Sequence, residues 1–323
     1  EIEWNQSGQI LKIYDKDAER EVLSDENGNV FQIFEDKPMA HDAWDIDIFY
    51  QQNMKEITDL KSVKVKEINS LCAVINFQWE YMDSTISQDL IVYSDKKRID
   101  YETEVDWHEQ HQLLKVAFPV EIRSTEATFD IQFGNVTRPT HWNTSWDYAR
   151  FETVGHQWAD LSEGDYGVSL LNNCKYGHDV KDNVMRLTLI KAATHPDYNQ
   201  DQGKHFFTYS LLPHQGSWVE GETVKSAWEL NNPVTYTEGN IDKNDFSLFR
   251  IDRNNVMIDS IKKSEDEDKI VLRVHEYTGS RGKVKISSDL DIKSWQKCNL
   301  MEEASGEKNI EKNIKFNIKP YEI

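Results

Sequence analysis

Basic residues are scarce in this 323-residue chain: 37 Lys and Arg stand against 57 Asp and Glu, a net charge of −20. Nearly every approach to a phosphate backbone or an anionic membrane surface would set like charges against each other. The clusters Lys96-Lys97-Arg98 and Lys262-Lys263 are short and lie beside acids, so no basic stripe offsets that balance. Long apolar runs are missing as well, and none approaches the ~18 residues a membrane helix needs. No nucleic-acid partner and no membrane partner are expected. Cysteine is equally thin, with Cys72, Cys174 and Cys298 odd in number, widely spaced and without a CxxC pair. That argues against a secreted disulfide framework and for a reducing compartment, the cytoplasm. The chain also lacks an opening Met and a targeting segment, and Glu1-Ile2-Glu3-Trp4 already reads as strand. It reads as a piece of a longer protein.

Aromatics are plentiful. They make up 11% of the chain, with ten Trp, which excludes a disordered chain. The length fits roughly two domains that bury ~75% of their unfolded surface. Alternation of period two dominates. Ile75, Phe77, Trp79 and Tyr81 interleave with Asn76, Gln78 and Glu80. Ile99, Tyr101, Val105 and Trp107 alternate with Asp100, Glu102, Glu104 and Asp106, and Ala127, Phe129, Ile131 and Phe133 with Thr128, Asp130 and Gln132. Such runs set one face on a core and the other in water, as in antiparallel sheet. Further strands fit 9–14, 30–34, 86–93, 185–190, 206–212, 270–277 and 284–287, punctuated by Asn27-Gly28, Gly164-Asp165, Gln202-Gly203 and Thr278-Gly279. One short helix is predicted over Glu220–Leu230, stopped before Pro233. The fold class is all-β, a large sandwich, with a boundary in the polar stretch Thr237–Asn244 that leaves domains at 1–238 and 239–323.

Four constellations could carry chemistry. Asp42, Asp45 and Asp47 follow His41 with carboxylate spacing, but the Gly and distal Glu of an EF-hand loop are absent. Loop and cap residues that bond nearby backbone N–H groups are the better account. His108-Glu109-Gln110-His111 invites a zincin reading, but HExxH needs His where Gln112 stands. A sheet rim of satisfied polar residues fits better. The third is Arg138, His141, Trp142, Asn143, Trp146 and Asp147, followed by His156 and Trp158. Trp rings stack on sugar CH faces while amides and acids bind hydroxyls, so this suits a sugar site; the plainer account is a long loop packed on the sandwich. The fourth is His195, Asp197, Asp201 and His205, a loop that could touch a sugar or simply be solvated. There is no GxSxG elbow, Walker loop or GxGxxG after a strand.

Arg138-Pro139-Thr140-His141, Asn143-Thr144-Ser145-Trp146-Asp147 and Trp158-Ala159-Asp160-Leu161-Ser162-Glu163 resemble the C-terminal region of glycoside hydrolase family 38 α-mannosidases, of the cytosolic and bacterial type. So do Tyr166–Asn172 with Lys175-Tyr176-Gly177, Asp42–Ile46, Leu113–Pro119, Tyr209–His214 and the final Lys319–Ile323. Asn173 departs from the Asp expected before Cys174. The resemblance implies a galactose-mutarotase-like β-supersandwich followed by a small β-sandwich. It implies retaining hydrolysis of an α-mannoside substrate, with a zinc ion and an Asp nucleophile in a catalytic domain upstream. That catalytic domain and a helical domain of the same chain would be the partners, and a homo-oligomer is possible. Catalytic residues, a metal site and a cofactor are not expected within these residues. The loop from His195 to His205 is the candidate for the sugar cleft. Arg138, His141, Trp146 and Asp147 are the candidates for interdomain packing or sugar contact. Two other readings share the pattern: a free-standing carbohydrate-binding module using Trp146 and Trp158, and a mutarotase-like epimerase, which needs a Glu base and a His acid in one concavity.

Overall fold

The strand Ile99–Trp107 shows how the alternation becomes structure: Ile99, Tyr101, Val105 and Trp107 are buried, while Glu102 faces out. It pairs antiparallel with Ser84–Tyr93 on one side and Gly203–Gln215 on the other. Repetition of that pattern builds a nine-stranded sheet, in the order Gly134–Pro139, Glu126–Ile131, Trp158–Ser162, Tyr166–Asn172, Gly203–Gln215, Ile99–Trp107, Ser84–Tyr93, Cys72–Tyr81, Leu60–Ile68. A six-stranded sheet runs Thr153–Val154, Gly177–Lys181, Val184–Lys191, Gln112–Pro119, Val30–Glu35, Met54–Glu56. The computed structural model describes residues 1–240 and 245–323, so the last four positions of the expected boundary stretch lie outside the described residues.

The described residues form two compact units, Glu1–Asp130 with Val136–Val234, and Ile131–Asn135 with Thr235–Ile323. In the first, Leu114, Val116, Phe118, Met185 and Leu187 of the six-stranded sheet share one core with Phe77, Trp79, Ile86, Tyr101, Leu161, Val168 and Tyr209 of the nine-stranded sheet. Tyr101 and Tyr209 stack at 5.1 Å in its centre. The outer face of the nine-stranded sheet is covered by the helix Thr223–Asn231, in the place the sequence predicts. Thr223 Oγ1 lies 2.7 Å from Ser169 Oγ, and Arg98 donates to the Ser226 carbonyl at 3.1 Å while pairing with Asp100. Covering that face explains why Asp100, Ser169 and Ser210 are buried although they alternate with core residues.

The second unit is a small sandwich. Arg250–Ile251, Gly282–Ser287 and Ile314–Ile318 form a three-stranded sheet, and Val256–Lys263 pairs with Ile270–Glu276. Val256, Val284, Ile286 and Ile318 make its core. Glu276 is fully buried there, accepting from Asn255 Nδ2 at 2.8 Å, Gly279 N at 2.8 Å and Tyr321 N at 3.1 Å. Phe133 and Asn135 belong to this unit, Phe133 edge-on to His275 and Asn135 donating to the Tyr277 carbonyl. The expected alternation through Phe133 therefore stops early: the strand ends at Ile131 and Phe133 adopts φ 54° in a turn. The chain is all-β in both units, a large antiparallel sandwich followed by a small one.

Candidate functional site

Three connecting segments, 36–53, 140–157 and 192–202, are joined beside the six-stranded sheet. The Gln112–Pro119 strand explains how. Leu114, Val116 and Phe118 point to the core, and Leu113, Lys115 and Ala117 to the opposite face. There Phe34, Tyr50 and Leu113 form a second apolar cluster with Ile46 and Phe151, which brings segment 36–53 onto segment 140–157. Beside it lies a buried ion network. Lys115, with 0% of its side chain exposed, pairs with Glu152 and, at 2.7 Å, with Asp179. Tyr50 donates to Glu152 at 2.6 Å, and Arg186 joins Asp179 at 2.9 Å to Gln32 at 2.9 Å.

The charges in this network hold one another in place. Burial alone would lower the Lys115 pKa, but the carboxylates of Asp179 and Glu152 drive it well above the ordinary lysine value. Burial would raise Asp179, and the charges of Lys115 and Arg186 bring it below the usual carboxylate range. Glu152 stays raised because burial outweighs the Lys115 charge. Lys115 therefore remains an ammonium without a lone pair, unfit as nucleophile or base. The network fastens the covering segments to the sheet.

Asp42 makes the second junction. Its Oδ2 accepts from Thr194 N at 2.8 Å and His195 N at 3.2 Å, and His111 Nε2 lies 3.0 Å from Thr194 Oγ1. The expectation of local bonding holds for Asp47, which accepts from Met39 N, but Asp42 reaches across to the other loop. Burial would raise the Asp42 carboxyl; the Thr194 hydrogen bond and the His111 charge outweigh it and hold it low. Glu109 accepts from Asp83 N and Ser84 Oγ, so its carboxylate is committed at the sheet rim.

Among the cleft candidates, His195 and Asp197 are exposed, and Asp197 accepts from Asn199 N within its own turn. His205 stands on the strand Gly203–Gln215, where Nε2 donates to the Asp201 carbonyl at 2.9 Å. In the other block, Asp147 and Thr144 form a capping box around the helix Ser145–Tyr148, with Trp146 76% exposed upon it. His141 Nδ1 lies 3.8 Å from Asp147, and Arg138 covers the Phe129 ring at 4.6 Å. Trp158 corrects the binding-module reading: it is 1% exposed and stacks on Trp218 at 5.1 Å, so it offers no platform to a sugar. The epimerase pairing does not form on the six-stranded sheet either, because Glu152 is bound to Lys115 and Tyr50 while the fully buried His178 packs edge-on to Phe129 of the core. Lys115, Asp179, Glu152 and Tyr50 escape the sequence reading. The one signal is a lysine in an otherwise apolar run, Leu113 to Phe118.

Among the described residues, no group of three or more His, Cys, Asp or Glu side chains is placed to hold a metal ion, so the donor set for a zinc ion is not found here. All three cysteines are free thiols. No helix of the described residues is long and apolar enough to cross a membrane.

Comparison with known proteins agrees with this architecture. Residues 1–199 match the glycosyl hydrolases family 38 C-terminal domain, and residues 255–323 match the glycosyl hydrolases family 38 C-terminal beta sandwich domain. The chain is 37% identical to alpha-mannosidase G of Dictyostelium discoideum over 98% of its own length and 30% of that protein's. It is 36% identical to alpha-mannosidase 2C1 of Mus musculus, over 92% of this chain and 30% of that one. The chain thus spans about 30% of the length of these curated relatives. In fold it superposes on an alpha-mannosidase from Enterococcus faecalis with a TM-score of 0.78 at 15% identity, covering 99% of this chain and 40% of that one. The chain belongs to the C-terminal domains of glycosyl hydrolase family 38.

Proposed function

We propose that this chain is the C-terminal β region of a longer, cytoplasmic α-mannosidase that hydrolyses α-mannosides with retention. Its catalytic and helical domains, and the zinc ion, would lie elsewhere in the same polypeptide. The observation that carries this reading is the match of both units to family 38 C-terminal domains, while the chain covers only 30% of its α-mannosidase relatives. Retaining hydrolysis needs a nucleophilic carboxylate and an acid/base carboxyl about 5–5.5 Å apart across a sugar. Two acids beside the six-stranded sheet, Glu152 and the buried Asp179, are tied to Lys115 and Arg186 instead. What these residues supply is position. The Lys115 network and Asp42 hold the segments carrying Trp44, Trp146 and Tyr198, all largely exposed, where another domain could pack. The His195–His205 segment would then reach the rim of the sugar cleft.

A 4-nitrophenyl α-mannoside assay tests this on the 323-residue chain beside the longer chain encoded by its gene, each with and without a chelator. Turnover is expected in the longer chain alone, lost on chelation. Turnover by the 323 residues themselves would overturn the proposal. In the longer chain, alanine at His195, Asp197, Asp201 and His205 is expected to reduce kcat/KM, and an unchanged kcat/KM removes the rim role.

A further inference from the structure

Arg138 lies on the strand Gly134–Pro139, two residues from Val136, which packs against the core. Its guanidinium sits over Phe129, and its Nη1 is buried without a hydrogen-bond partner. Burial lowers its pKa, and the charge of Arg150 lowers it further. Next to Phe129 lies His178, 0% exposed, with both ring nitrogens unpartnered. Burial pushes His178 down to about 3, so it is neutral at physiological pH. On the same strand, Gly177–Lys181, the Lys181 ammonium lies 4.2 Å from the Trp142 ring. Among the described residues, neither Arg138, Arg150 nor Lys181 forms an ion pair. Of the acids near Arg138 and Arg150 in sequence, Asp147 caps its helix through Thr144, and Glu152 is bound to Lys115 and Tyr50.

That arrangement runs against the rest of a chain with a net charge of −20. A partly buried guanidinium without a carboxylate loses hydration that its contact with the Phe129 ring offsets only in part. Arg presents a planar fork that matches the two oxygens of a carboxylate or phosphate. We propose that Arg138, with Arg150 beside it, forms an oxyanion site for a carboxylate or phosphate group brought from outside the described residues. The site is independent of the mannosidase reading, because an α-mannoside carries no such charge.

The test is thermal unfolding of the 323-residue chain in sodium acetate, sodium phosphate and sodium chloride at matched ionic strength and neutral pH. A saturable rise in Tm over chloride is expected with at least one oxyanion, and which one separates a carboxylate source from a phosphate source. Arg138→Gln is expected to weaken half-saturation about tenfold or more. In chloride it should unfold at or above the wild-type Tm, since an unpaired charge has gone. Arg150→Gln, on an exposed turn, should weaken the same response without touching the packing over Phe129. Equal Tm in all three salts overturns the site. So does an Arg138→Gln response equal to the wild type, or a clear loss of Tm by that variant in chloride.

Discussion

Lys115→Met keeps the length and apolar stem of the side chain and removes only its charge. Asp179, 4% exposed, would keep Arg186, but Glu152 would lose its one cation and keep only the Tyr50 hydroxyl. Removing one partner of a buried ion pair costs about 3–5 kcal/mol, because the charge left behind stays desolvated. Glu152 can escape part of that cost by taking up a proton, which gives the loss a pH dependence. Its folded pKa is already raised by burial, and without Lys115 it rises further. A carboxyl raised on folding adds stability below its unfolded value of about 4.3 and loses it as pH climbs through the folded value. The difference between wild type and variant should therefore be smallest near pH 5 and grow towards pH 7.5. Lys115 itself, raised on folding, contributes fully across that range and loses its contribution only above the ordinary lysine value. Urea unfolding followed by Trp fluorescence reads this directly. Of the ten Trp in the sequence only Trp295 falls within residues 235–323, so the signal reports mainly the unit that holds Lys115. Adding Glu152→Gln should recover part of the loss and flatten its pH dependence. A Lys115→Met loss under about 1 kcal/mol at pH 7.5, or one equal at both pH values, would refute a buried ion network in which Glu152 depends on Lys115.

Asp42→Asn should free the 194–195 backbone with little effect on global stability, about 1–2 kcal/mol, seen as faster proteolysis within residues 193–202. Because the Asp42 carboxyl is held low, that anchor should persist as pH falls to its unfolded value near 3.9 and fail only as pH drops through the folded one. Unchanged cleavage would remove Asp42 as the tie. In the second unit, Glu276→Gln replaces an acceptor with a donor facing the Gly279 and Tyr321 amides. It should cost about 2–3 kcal/mol and speed hydrogen exchange at 276–279 and 319–322; unchanged exchange there refutes the role.

How much the sequence shows depends on how many faces of a strand are covered. Ile99–Trp107 alternates cleanly and is legible to the residue, because one face meets the core and much of the other meets water. Gln112–Pro119 is buried on both faces, so its period disappears and it reads only as an apolar run. Leu60–Ile68 fails for the opposite reason: as the edge of the nine-stranded sheet it buries almost nothing, and its Lys and Val residues resemble a loop. Asp42 and Thr194 are 152 positions apart, a distance no local spacing can encode. The Lys115 network depends on Glu152 and Asp179 in the same way, 37 and 64 positions away.

The block from Arg138 to Trp158 shows why composition overstates chemistry. Its Trp, His, Asn and Asp suit a sugar, yet two of its features serve architecture. Thr144 and Asp147 stand three apart, the spacing of a capping box, and the structure spends both on the helix Ser145–Tyr148. Trp158 opens the strand Trp158–Ser162, four of whose five residues are buried, so its ring is core rather than platform. A polar side chain committed to its own backbone or a neighbouring charge has little left for a ligand. Applied to Asp147 and Glu152, that criterion removes much of the apparent chemistry of this block. Applied to Arg138, it leaves a buried Nη1 that no described residue answers, which is why the anion experiment rests on that residue.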